Sequence, residues 1–282
     1  MTRARPDFPG ATCRSEGMSE AEHLEVRRIP SRAVTVAEKE AMWQCYSRFV
    51  EARRDSFMHT IDTADEAFLF YGRESGALAG FEALRVLTVA VRGDPHTVVY
   101  SCYADLDPTV RGLNLLQRVA LRETLRLKLR YPFRPIFWMF TASTYLSYLL
   151  LANNLLEYWP RPERPTPPHL RELIDAVMRT LGKEGWDPEA GVVRRHGVLR
   201  YREGLVGSDP SLLANPHIRF YATLNPGQHE GDSLACLCPV SVRNVHTLLV
   251  AMAQRAWRRA GPQRPTFDRV PSAPPGNGRA SR

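Results

Sequence analysis

The chain has 282 residues, 44% of them apolar, enough to bury a sizeable core, and its formal net charge is +8. Five scattered cysteines, an odd number, speak against a disulfide framework and give no tetrahedral zinc set. Residues 1–17 carry Arg, Pro and Asp but no apolar stretch, so no secretory signal is expected and the cytoplasm is the expected compartment.

Residues 1–20 and 261–282 are rich in Pro, Gly, Ser and Arg without apolar periodicity and read as disordered tails. A short alternating run, 24–28, suits a first strand. Thr35-x-x-Glu38 is a capping box that opens a helix, with Met42, Trp43, Tyr46, Phe49 and Val50 on one face, continuing with a break to Ile61. Strands are expected at 67–71, 78–91 and 96–103. The turn clusters between them, 73–76 and 92–95, are short enough for antiparallel hairpins. A helix over 110–131 stops before Pro132; strand character resumes over 133–140, a helix follows at 143–153 and a short strand at 155–159.

Residues 136–156 hold no charge over about twenty positions, the length a bilayer helix needs. Thr141, Ser143, Thr144, Ser147, Asn153 and Asn154 would each need a polar partner in lipid, however. The segment therefore reads as a buried strand and a buried helix, with no membrane span. Prolines crowd 160–168 as a linker, and a helix capped by Thr166 follows over 168–181. Residues 182–231 are loop-rich, with a short helix starting at Asp209-Pro210 and an apolar segment at 218–223. A strand at 233–240 and an amphipathic helix at 242–258 end the folded part. Cys236 and Cys238 would share one strand face, with no further metal ligands beside them, and read as buried thiols. The fold class expected is α+β: a mixed, mostly antiparallel central sheet flanked by helices. Its core spans 21–160, and an extension over 161–260 completes the sheet.

Residues 111–134 carry seven basic side chains against Glu123 alone. Arg118, Arg122, Arg126 and Arg130 recur at i, i+4 along one helix face, where like charges cost about 0.2–0.5 kcal/mol per pair. Such a stripe is either a solvated face or a surface for an acidic partner. No aromatics are interleaved with the arginines as base stacking requires, so nucleic acid ranks last among partners.

The junction from 98 to 130 is the most informative stretch. An apolar strand passes through Asp107-Pro108-Thr109-Val110-Arg111-Gly112 into a long helix, leaving the first helical N–H groups free to meet an anion. This pattern resembles the acyl-CoA pyrophosphate loop of the GNAT superfamily of N-acyltransferases, and the element order over 24–159 is similar to a GNAT core. The resemblance implies an acyl group moved from a thioester to an amine by direct attack, in a V between the central strand and its neighbour. It implies that Ala104 and Leu106 line the pantetheine arm and that Arg111, Gly112, Leu113, Asn114, Leu115 and Leu116 cradle the phosphates. The Arg111-Gly112 pair matches the family's loop; Asn114 and Leu116 stand where small residues are usual. The donor is then a coenzyme A thioester or the phosphopantetheine of an acyl carrier protein, whose acidic surface would suit Arg118, Arg122, Arg126 and Arg130.

The same resemblance places a thiolate-protonating tyrosine on the helix at 143–153. Leu151 holds its usual place, and Tyr148 or Tyr145 could act from a neighbouring turn, or simply pack in the core. For the base, Glu82 and Asp105 are the candidates. Glu82 interrupts an otherwise apolar strand, where burial would raise its pKa, unless it faces outward. Asp107 reads as a helix cap and His96 as a turn residue. No metal is expected, and Ser101-Cys102 lacks a nucleophile-elbow turn, which argues against an acyl-enzyme. The alternative to an enzyme is a catalytically silent module that binds acyl-CoA or an acyl carrier on the same scaffold.

Overall fold

The computed structural model describes residues 24–195, 199–201 and 210–260; the expected tails, 1–20 and 261–282, lie outside these. In chain order the elements are β1 (Leu24–Pro30), α1 (Val36–Ser47), β2 (Val50–Glu51), α2 (Arg54–Thr63), β3 (Glu66–Gly72), β4 (Leu78–Val91) and β5 (Asp94–Leu106). They continue as α3 (Leu115–Arg130), β6 (Ile136–Ala142), α4 (Tyr145–Ala152), α5 (Pro168–Thr180), β7 (Trp186–Asp187) and β8 (Val192–Val193). The last are β9 (Arg200–Tyr201), α6 (Pro216–Leu224), β10 (Ser233–Pro239) and α7 (Val242–Ala260).

One eight-stranded sheet, ordered β1-β3-β4-β5-β6-β10-β8-β7, organises the fold. Every pairing in it is antiparallel except β5 with β6. This is the expected α+β architecture with a mixed, mostly antiparallel sheet. Because successive strand residues point to opposite faces, each strand feeds two cores. Phe81, Ala83, Val98, Tyr100 and Met139 pack beneath α1, α2 and α5. Leu84, Val99 and Ile136 pack beneath α3, while Cys236 and Cys238 of β10 lie under α4 and α6. The sheet thus separates an α3/α4 face from an α1/α5 face.

The capping box forms in full: Glu38 N donates to Thr35 Oγ1 at 3.2 Å and Thr35 N to Glu38 Oε2 at 2.8 Å. The expected helix over 35–61 is divided by β2, which pairs with β9. The uncharged stretch is β6 followed by α4, and among the described residues no helix is long and apolar enough to cross a membrane.

Three expectations are corrected. The helix after the junction begins at Leu115 rather than at 110, because Asp107 caps a separate 3-10 turn, Pro108–Val110, by accepting from Thr109 N at 3.0 Å. Residues 155–159 form no strand; two backbone bonds between Trp159 and Leu237, 2.7 and 2.8 Å, are their whole share in the sheet. Thr166 does not cap α5, whose N-cap is Pro167 with no side-chain bond.

Candidate active site

The sheet parts in its middle. The register of β5 against β4 pairs Ala83 with Tyr103 and Leu84 with Ser101, so Cys102 is bulged out. A bulge bends its strand and ends orderly pairing nearby. The parallel ladder of β5 with β6 ends at that point: it runs from Thr97/Ile136 to Ser101/Phe140 and no further. From Cys102 to Leu106, β5 has a partner only on the β4 side, while β6 goes on pairing with β10. A cavity of about 260 Å³ occupies the split, bounded by Ser101, Cys102, Tyr103 and Ala104 on one side and Phe140, Thr141 and Ser143 on the other. A second cavity, about 440 Å³, adjoins it across Ala104, Leu116, Ser147 and Tyr201 and extends to Arg111 and Arg255.

The outer end of the second cavity is the start of α3. Gly112 (φ 80°) and Asn114 (φ 61°) turn the chain through the left-handed region, which suits glycine and asparagine. The first helical bond is Arg118 N to Asn114 O at 2.9 Å, and Asn114's side chain caps nothing. Among the described residues the N–H groups of Leu115, Leu116 and Gln117 have no acceptor, so the positive end of the helix dipole is open. Of the residues expected to hold the donor, Ala104, Leu106, Arg111, Gly112, Asn114, Leu115 and Leu116 line this cavity. Leu113 packs instead against the core beneath α3.

Sequence reasoning missed the contribution of α7. Arg255 donates to Asn114 Oδ1 at 2.5 Å and to Asn154 Oδ1 at 2.6 Å, joining the start of α3 to the end of α4. Arg259 donates to Arg111 O at 3.0 Å. With Arg111 and Arg255 on its walls, this end of the cavity is cationic. Burial and Arg258 nearby lower the pKa of Arg255.

Both carboxylates expected as bases lie in the cavities, on opposite faces of the sheet. Glu82 is buried on the α3 face, accepts from Ser101 Oγ at 3.1 Å through one oxygen and leaves Oε2 without a partner among the described residues. Burial pushes its pKa from 4.5 to about 8, with Glu123 adding to the rise against the Ser101 bond. Asp105 lines the second cavity at the outer end of β5, near Arg111 (3.9 Å). Its Oδ1 accepts from Leu106 N at 2.8 Å and Oδ2 is enclosed without a partner. Burial carries it from 3.8 to about 7 in spite of Arg111 and Arg48. Cys102, at the bulge, is no thiolate: burial pushes it up to about 12.

The two tyrosines expected as acids lie elsewhere. Tyr148 is fully buried, its hydroxyl donates to Pro160 O at 3.0 Å, and it lines neither cavity. Tyr145 is half-buried, packs against the same core and lines neither. At the junction of the two cavities stand Tyr46 and Tyr201 instead. The short β2–β9 pair carries Tyr201 there, opposite Val50, and burial raises its pKa to about 12. No periodicity marks Tyr201, which follows a loop-rich stretch. Among the described residues no three His, Cys, Asp or Glu side chains gather to hold a metal ion.

No family model matches the chain, and no curated protein sequence matches it. Among solved structures 78 chains match. A conserved protein of Enterococcus faecalis V583, described as a probable N-acyltransferase, aligns with a TM-score of 0.35 at 12% identity, over 45% of this chain and 31% of that one. An aminoglycoside acetyltransferase from an uncultured soil metagenomic sample gives 0.33 at 13% identity, over 51% of this chain and 98% of that one. A ribosomal-protein-alanine N-acetyltransferase of Brucella melitensis gives 0.30 at 19% identity, over 43% and 80%. The chain spans under a third of the Enterococcus protein and is itself matched over about half its length. The likeness to each is partial and at low identity.

Proposed function

We propose that the chain is a GNAT-like N-acyltransferase that moves an acyl group from a coenzyme A thioester to an amine by direct attack. What carries this reading is the parted strand pair. Its open side holds two adjoining cavities that between them run from the free amides of α3 to two carboxylates of raised pKa. The donor's phosphates would lie against the N–H groups of Leu115 to Gln117, with Arg111 and Arg255 beside them. Ala104 and Leu106 would border the pantetheine arm. The thioester supplies an electrophilic acyl carbon, and the chain's residues do the rest.

Asp105 is assigned the base. Burial brings its pKa to about 7, where a general base is half ionised and basic enough to accept a proton from the attacking amine. As the N–C bond forms and the C–S bond breaks, that proton passes to Asp105 and the thiolate leaves. Tyr201, which lines both cavities and whose side chain bonds to Ser143, is assigned the hydrogen bond that stabilises the thiolate and protonates it, in place of Tyr148 and Tyr145. Glu82, ionised only above about 8, keeps Ser101 oriented in the split.

A second reading concerns the donor alone. Arg118, Arg122 and Arg130 stand exposed on α3 without an ion pair among the described residues, whereas Arg126 bonds to buried Glu123 at 2.6 Å. This free basic face favours a donor borne on an acidic carrier protein, held by a single phosphate.

The test is calorimetric titration with coenzyme A, followed by thiol release from acetyl-CoA and from an acyl carrier thioester across a panel of amines. Binding with amine-dependent thiol release is expected. Binding without release to any amine would leave the silent binding module, and no binding of either donor would overturn the reading.

A further inference from the structure

Beyond the split, on the α1/α5 face, the first cavity is walled by Lys183 and Arg195. Lys183 follows the end of α5, with its Nζ 5.1 Å from the centre of the Tyr100 ring. Tyr100 packs under α5, on the face of the sheet away from α3. Arg195 follows β8, and its Nε is enclosed without a hydrogen-bond partner. Neither side chain makes an ion pair among the described residues. The acids around them are engaged elsewhere: Asp232 accepts from Arg195 N (2.8 Å) and from Arg194 (3.1 Å), Asp187 from Arg194 (3.2 Å), and Asp175 from Trp186 (2.9 Å) and Arg179 (2.9 Å). Burial and then the charge of Arg195 depress the pKa of Lys183, and no carboxylate offsets them. Two like charges half-withdrawn from water beside an open cavity are a cost to the free protein that a bound anion would remove.

That anion is not the donor's. On the transferase reading the donor's phosphates lie at the start of α3, in the second cavity, which neither Lys183 nor Arg195 lines, and only the thioester reaches the split. What would approach from the Lys183 side, past Tyr103, is then the nucleophile. Resting on the transferase reading, we infer that the acceptor amine carries an anionic group, a carboxylate or a phosphate monoester, held by Lys183 and Arg195. The pair selects the acceptor, while Asp105, toward the outer end of the same strand, takes the proton.

The experiment compares acceptors in matched pairs with acetyl-CoA as donor: α-amino acids against their carboxamides, and phosphoethanolamine against ethanolamine. The anionic member of one pair should be used at least about tenfold better in kcat/KM, and which pair responds distinguishes carboxylate from phosphate. Lys183→Met and Arg195→Gln should each raise KM for that acceptor about tenfold, leaving KM for its neutral analogue and the Kd of coenzyme A unchanged. Equal use of both members of both pairs, with the two variants unaffected, overturns the inference while transfer itself survives. Loss of transfer to every amine together with loss of coenzyme A binding by the unaltered protein overturns the transferase reading instead, and the acceptor assignment with it.

Discussion

Asp105 and Glu82 sit a few residues from the split and differ from surface acids in one respect: burial disfavours their charged forms. With Asp105 as base, kcat/KM at saturating donor rises with pH through about 7, separately from the later rise as the amine itself loses its proton. Asp105→Asn should remove the limb near 7 and lower kcat by about 10²–10⁴-fold. Should Asp105→Asn keep that limb and Glu82→Gln abolish one near 8, the two roles exchange. Glu82 makes a second, independent prediction. Its folded pKa lies above its ordinary 4.5, so the folded state holds a proton that the unfolded state gives up. The stability that proton confers is fully present below about 4.5 and is lost as pH rises through about 8. Glu82→Gln should therefore flatten the fall of unfolding free energy with pH and be more stable than the unaltered protein above 8, by on the order of a few kcal/mol. Denaturant titrations at pH 5 and pH 9 check this; a parallel slope in both proteins would mean Glu82 is solvated. The burial of Glu82 could be suspected from a carboxylate within an apolar run, whereas Asp105 was marked only by its place near the end of its strand. For Tyr148 the helical spacing allowed the core position it takes, but could not say that its hydroxyl would meet Pro160, twelve residues on in a proline-rich segment.

The element whose placement matters most is α3. Its existence and its end were plain from spacing and Pro132, but its start was not: Pro108 opens a single 3-10 turn, and Arg111 to Asn114 then form the loop that the anion would meet. That difference exposes the helical amides, and it depends on the left-handed turn at Asn114, whose side chain is held by α7 through Met252 O at 3.3 Å and Arg255. Contacts between residues 114 and 255 leave no trace in local pattern, so α7 could be recognised as amphipathic without its partner being known. Arg255 should behave as part of the donor site. Arg255→Gln keeps a hydrogen-bond donor but loses the charge, and should weaken coenzyme A about tenfold or more by calorimetry, as expected for a charge-assisted bond to phosphate. An unchanged Kd would make Arg255 purely a clamp between α3 and α4. On the opposite side of α3, Arg118→Glu with Arg122→Glu should leave acetyl-CoA kinetics as they are, because both side chains point to solvent. The same pair of changes should raise KM for a carrier-borne donor if that donor is used.

At the scale of the molecule, the hairpins that join β3, β4 and β5 could be anticipated from their short turns, and the parting of β5 from β6 only through family resemblance. Nothing in Ser101-Cys102-Tyr103 announces a bulge, which arises because β4 and β5 must keep pairing while β5 bends away. The extension then does two things at once. Through β10, β8 and β7 it closes the far half of the sheet, and through the segments on either side of β7 and β8 it places Lys183 and Arg195 on the wall of the first cavity, away from the start of α3. The two ends of the cavity are thus built from different parts of the chain, and ligand-linked stability can separate them. A ligand present at a hundred times its Kd raises the unfolding free energy by about 2.7 kcal/mol, or roughly 5–10 °C in Tm for a chain of this size. Coenzyme A should give that shift in the unaltered protein and in Lys183→Met, and a smaller one in Arg255→Gln at the same concentration. The anionic acceptor should give the reverse pattern, its shift surviving Arg255→Gln and falling in Lys183→Met. If one substitution abolished both shifts, the cavities would be a single coupled site, and the division of donor and acceptor between them would be wrong.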